Sequence, residues 1–173
     1  LVFGSEIDNY EFYDKCLNII NNFNNYDFVH ENQIEWYKEK VTEIWKNIPS
    51  MMFLHIPLPE TKEAIEKYKN NSKDVKYYFG EVNESVCTTK NDSTLFDTVT
   101  YLGSTKAIFY GHGHYNNISL EYKGVRLTYG ISINYLASPG IENKTEQRGV
   151  TLITIKNDSS FDIKQVKLDT IKH

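Results

Sequence analysis

Ala107-Ile108-Phe109-Tyr110-Gly111-His112-Gly113-His114-Tyr115-Asn116-Asn117 lies near the middle of a 173-residue chain and runs four apolar residues straight into two histidines spaced two apart. A short apolar run that stops at glycine reads as a buried strand. In extended backbone, side chains at i and i+2 point to the same side. His112 and His114 are therefore expected to address one metal ion, or two neighbouring ions if the turn splays them. Glycine on either side of His112 permits a tight turn and leaves room for a ligand.

A second stretch has the same shape. Met51-Met52-Phe53-Leu54-His55-Ile56-Pro57-Leu58-Pro59-Glu60 carries an apolar run that breaks at proline. Proline lacks the amide proton a central strand needs, so Pro57 marks the strand's end and His55 falls just inside it. In open α/β sheets, ligands gather at such strand ends. A lone histidine there is also compatible with an ordinary hydrogen-bonded surface residue.

Outward from these two stretches the pattern alternates. Ile34, Tyr37, Val41, Ile44, Trp45 and Ile48 recur at three- and four-residue spacing and predict an amphipathic helix over 31–48. A strand is expected at 51–56, and a mostly exposed helix at 61–70 with Glu63 and Lys67 paired. The polar segment 71–92 reads as a loop around Tyr77-Tyr78-Phe79-Gly80, with space for one short strand. A helix at 95–102, capped by Ser93 or Thr94, feeds a strand at 106–110. Strands at 118–122 and 125–129 are joined by a tight Lys123-Gly124 turn. A turn-rich segment at 134–147 precedes strands at 149–156 and 161–168, joined through Asn157-Asp158-Ser159-Ser160. Residues 8–25 read as an irregular surface excursion with a short helix at 12–20. His30 and His173 are expected in solvent.

Taken together, "FLHIPLPE" around His55 and "YGHGHYNN" around His112 and His114 resemble the two C-terminal metal-ligand motifs of calcineurin-like metallophosphoesterases, the superfamily that includes the purple acid phosphatases. The likeness extends to "YDFVHENQIEWYKEK" before the first motif and to "GVRLTYG" and "RGVTLITI" after the second. It implies an α/β fold, the C-terminal half of a two-sheet sandwich flanked by helices, with residues 1–173 forming one partial domain. It also implies metal-dependent hydrolysis of phosphoric esters, with His55 and His112 serving one ion and His114 the other. The cofactors implied are two divalent or trivalent ions, Fe, Zn or Mn, and Asn116 is a candidate substrate contact. Family enzymes take their remaining ligands from Asp-x-His, Gly-Asp-x-x-Asp and Gly-Asn-His-Asp/Glu motifs of an N-terminal half. None of these occurs here, so the missing half of the same domain is an expected partner, alongside a small phosphate-ester substrate. Two departures bear on substrate contacts: Gly113 stands where a carboxylate is common, and Asn117 where Asp often stands.

Composition narrows the alternatives. A 40% hydrophobic and 14% aromatic content suffices for a packed core. A net charge of -4 and a pI near 5.7 lack the basic footprint of nucleic-acid binding. No apolar run nears the roughly 20 residues of a membrane span. Two cysteines, Cys16 and Cys87, allow one bridge or two free thiols. Asn70, Asn83, Asn91, Asn117, Asn143 and Asn157 each open an Asn-x-Ser/Thr triplet. These triplets point to a secreted, lysosomal or vacuolar protein, with a cytoplasmic one as the alternative. Arg148 is a candidate phosphate contact or an ion-pair partner, and Tyr115 and Tyr135 are candidate pocket walls. Beside the hydrolase reading stand a non-catalytic interaction module of the same fold and a structural zinc domain. A half-sandwich should expose a sheet face or edge.

Overall fold

A computed structural model of the chain describes residues 28–44, 48–89, 94–136, 138 and 140–170. The expected excursion at 8–25, the helix at 12–20, Cys16, Asn91, Ser93 and His173 lie outside these residues.

The first apolar stripe folds as α1 (Glu31–Glu39), with Ile34 and Tyr37 buried, and widens into a π-helical turn at Lys40–Ile44 that buries Val41. Its start is held by the Gln33 carboxamide, which accepts the His30 amide proton at 2.9 Å. Strand β1 (Ser50–Leu54) follows, then α2 (Pro59–Lys69). This helix begins two residues before the expected start because Pro59, with its fixed φ, suits the first helical turn. It is also less exposed than expected, since Thr61, Ala64 and Ile65 are buried. Glu63 and Lys67 approach to 3.9 Å.

The polar segment holds a full strand, β2 (Val75–Phe79); α3 (Leu95–Leu102), β3 (Thr105–Tyr110), β4 (Ser119–Tyr122) and β5 (Val125–Tyr129) complete the central unit. The N-cap of α3 is Thr94, whose side chain makes no capping bond. Lys123 and Gly124, both at positive φ (49° and 77°), form the tight turn between β4 and β5. Last come β6 (Gly149–Ile155) and β7 (Phe161–Lys167).

Five strands make one mixed sheet in the order β1-β3-β5-β4-β2, and β6 and β7 form a separate two-stranded ribbon. Strands β1, β3 and β5 run parallel, while β4 and β2 run antiparallel to their neighbours. The fold is thus mixed α/β, with flanking helices and a second small sheet. Alternation along the strands turns Ile108, Tyr110, Leu120, Tyr122, Leu127 and Tyr129 to one face, where they pack with Leu95, Phe96 and Val99 of α3, Ala64 and Ile65 of α2, and Ile34, Tyr37 and Val41. Each fully buried side chain of this size stabilises the fold by about 1.5–3 kcal/mol.

On the opposite face the inner strands are buried at Ala107, Phe109, Ser119 and Thr128, and the β1 edge is open. Phe53 stacks on Phe109 at 5.0 Å yet stays 65% exposed. On the ribbon, Val150, Leu152 and Ile155 are exposed as well. Gln165 of β7 ties the ribbon to the sheet by donating to the carbonyls of Asn117 (3.2 Å) and Tyr129 (3.0 Å) and accepting from the Asn117 side-chain Nδ2 (2.9 Å). No helix among the described residues is long and apolar enough to cross a membrane.

Candidate metal centre

Parallel pairing of β1 with β3 sets Leu54 opposite Tyr110, so both chains leave the sheet at the same edge. His55 is the next residue on one strand and Gly111 the next on the other; the Gly111 amide donates to the His55 carbonyl at 3.2 Å. The His55 and His112 rings stand edge to face, with centroids 5.3 Å apart. Two imidazoles 57 positions apart in sequence thus meet where the two strands end.

The turn reaches this geometry by a different route from the one the spacing suggested. His112 sits at φ 63°, left-handed rather than extended, so the i, i+2 alternation does not operate there. Histidine tolerates this region better than most side chains do. The Gly113 amide donates to the Gly111 carbonyl at 2.7 Å and closes the turn. His114 Nδ1 lies 2.6 Å from Ser138 Oγ, which leaves Nε2 as the nitrogen available to a ligand. The His112 imidazole binds protons less readily than usual because it is partly buried and because the His55 and His114 rings lie nearby; the Glu84 carboxylate opposes the effect.

Imidazole suits Zn and Fe, whereas Mn favours carboxylate and carbonyl oxygens. Among the described residues, however, no three histidine, cysteine, aspartate or glutamate side chains form a group able to hold a metal ion. His114 is drawn toward Ser138, and His55 meets His112 edge-on. The described residues therefore bring imidazoles together at one strand end without forming a three-donor group.

Asn116 is 1% exposed. Its Oδ1 accepts the amide protons of Asn83 (3.0 Å) and Glu84 (3.1 Å), and its Nδ2 lies near the Tyr129 hydroxyl without a hydrogen bond among the described residues. In this position it clamps two loops. Burial holds the Tyr129 hydroxyl well above the ordinary phenol range. Asn117, 3% exposed, bonds through Oδ1 to the Glu81 amide at 2.8 Å, so this triplet is closed to a glycan, whereas Asn70, Asn83, Asn143 and Asn157 are exposed. Among the described residues Arg148 forms no ion pair: it donates to the Glu142 carbonyl at 3.0 Å and lies over the exposed Tyr135 ring at 4.7 Å. Cys87 is an exposed free thiol.

Sequence reasoning missed Glu84 and Ser138. Glu84 drew notice only within the Asn83 triplet, and Ser138 only as part of a turn-rich segment. No local pattern marks either; both act across 24 or more positions.

No protein-family model matches the chain, and no solved structure matches it significantly. Three Arabidopsis thaliana proteins do. Probable inactive purple acid phosphatase 28 is 28% identical over 117 residues, covering 65% of this chain and 27% of its own length. Probable inactive purple acid phosphatase 14 is 28% identical over 123 residues, covering 64% and 28%. Probable inactive purple acid phosphatase 29 is 34% identical over 89 residues, covering 51% and 21%. The chain thus spans about a quarter of the length of the relatives it matches.

Proposed function

We propose that this chain, a member of the purple acid phosphatase-related phosphoesterases, forms the C-terminal part of a domain that hydrolyses phosphoric esters at a metal centre. The observation that supports the reading is the pairing of β1 with β3, which brings His55 and His112 side by side at one sheet edge. His55, His112 and His114 would hold the metal, joined by ligands from the rest of the domain. When bound, a pair of Fe, Zn or Mn ions supplies Lewis acidity toward the phosphoryl group and a nucleophile at neutral pH. The chain's own residues orient that assembly. Ser138 fixes the ring of His114, the left-handed turn presents His112, and Asn116 holds the adjoining loops in register. Substrate is a small phosphate ester. The exposed Phe53 at the β1 edge of the sheet, stacked on the buried Phe109, offers a contact for the N-terminal half of the domain. Passage through the secretory route fits the four exposed Asn-x-Ser/Thr triplets.

A second reading, a non-catalytic interaction module of the same fold, draws support from the word "inactive" in the relatives' names and from the lack of a three-donor group among the described residues. One experiment separates the two. The full-length protein is analysed for metal content and assayed on a chromogenic phosphate ester, with and without chelator, beside His55→Ala and His112→Ala. Chelator-sensitive turnover that both variants abolish supports the hydrolase; metal-independent or absent turnover rejects it and favours the module.

A further inference from the structure

The histidine turn is held from one side by residues 81–84. The Asn117 amide donates to the Glu81 carbonyl at 3.0 Å, and the Glu81 amide to Asn117 Oδ1 at 2.8 Å. The amides of Asn83 and Glu84 both donate to Asn116 Oδ1. The two segments lie so close that a Cβ on Gly80 would stand 2.1 Å from the Asn117 carbonyl oxygen. One contact in this set reaches into the turn itself: Glu84 Oε1 accepts the Tyr115 amide proton at 2.8 Å.

We propose that Glu84 is the positioning residue of the histidine turn, fixing through the Tyr115 N–H the backbone that carries His112 and His114. A non-glycine residue at φ 63° persists only where its surroundings enforce it. A backbone hydrogen bond accepted by a side-chain oxygen supplies such a restraint. Gly113 admits the carboxylate: a Cβ there would lie 3.3 Å from Glu84 Oε1, 3.0 Å from Asn116 Nδ2 and 2.9 Å from the Tyr129 ring. In this arrangement the Glu84 carboxylate oxygen Oε1 is engaged by the Tyr115 amide. Its effect passes through main chain to two imidazoles, where small misplacements are costly for coordination.

The metal arm of the test rests on the function proposed above; the exchange arm does not. In the full-length protein, Glu84→Met removes the acceptor at nearly constant length, and Glu84→Gln keeps an oxygen that can accept the same proton. Glu63→Met, which removes a remote carboxylate accepting the Tyr122 hydroxyl at 2.7 Å, serves as control. Hydrogen exchange of the peptide spanning 112–117 is read in chelated protein, and Co2+ affinity from its d–d absorption. Glu84→Met should exchange about tenfold faster at this peptide and bind Co2+ about 10- to 100-fold more weakly. Glu84→Gln should stay within about threefold of wild type on both readouts, and the control should change neither. Unchanged exchange in Glu84→Met overturns the proposal. So does a Glu84→Gln that loses as much as Glu84→Met, because charge or direct coordination would then be at work. A wild type that binds no Co2+ rejects the metal reading, and exchange alone then decides the role of Glu84.

Discussion

Replacing Asn116 with alanine separates a loop clamp from a substrate contact. The side chain is 1% exposed, and its oxygen accepts two backbone amides, from Asn83 at 3.0 Å and Glu84 at 3.1 Å. Truncation strands both donors in a half-buried loop. A buried donor left without a partner costs about 1–3 kcal/mol; because Asn83 is exposed and water reaches it, the low end applies, giving about 2–3 kcal/mol for the pair. For a domain of this size that corresponds to a fall in Tm of about 4–12 °C. Equilibrium urea unfolding should show a lower midpoint at unchanged slope. Asn116→Asp keeps the accepting oxygen but sets a second carboxylate beside Glu84, and should fall between wild type and alanine. An Asn116→Ala protein within about 0.5 kcal/mol of wild type would refute the reasoning, most clearly if KM for a phosphate ester rose instead.

Gly113→Ala should cost about 1–3 kcal/mol by overpacking, since its Cβ would meet the buried Tyr129 ring at 2.9 Å; a melting curve superimposable on wild type would disprove it. In chelated protein, His112 takes up a proton less readily when folded than when unfolded. Its contribution is therefore complete above the unfolded value of about 6.5 and is lost as pH falls from there through the lower folded value. Urea midpoints measured from about pH 7.5 to about pH 5 should drop less in His112→Gln than in wild type, and equal drops would reject the assignment. In a host that glycosylates the protein, peptide mapping should find Asn117 bare, because it is 3% exposed and bonded to Glu81 and Gln165; a glycan on Asn117 in folded protein would contradict the packing.

Much of the architecture could be read from local pattern. The helix at Leu95–Leu102 and the strands at Thr105–Tyr110 and Val125–Tyr129 lie within a residue of their expected bounds, because apolar runs there end at glycine or at a two-residue turn. Strand β2 was harder to see. Its residues Lys76, Tyr77 and Tyr78 alternate poorly, and the strand forms because Val75 and Tyr77 find Tyr122 and Leu120 of β4 in register. The histidine turn misled in a different way. Spacing suggested extended backbone, whereas hydrogen bonds from residues 81–84 support a left-handed His112.

From the sequence alone follow the α/β class, the two strand ends that carry His55, His112 and His114, and the imidazole chemistry they offer, since each depends on neighbours a few residues away. Tertiary structure alone decided that β1 and β3 lie side by side and parallel, that Ser138 takes one nitrogen of His114, and that Asn116 and Glu84 serve the turn from beneath. These are pairings between residues 24 to 56 positions apart. Such contacts are selected by the packing of a shared apolar face and the need to satisfy buried backbone donors, and no periodicity along the chain encodes them.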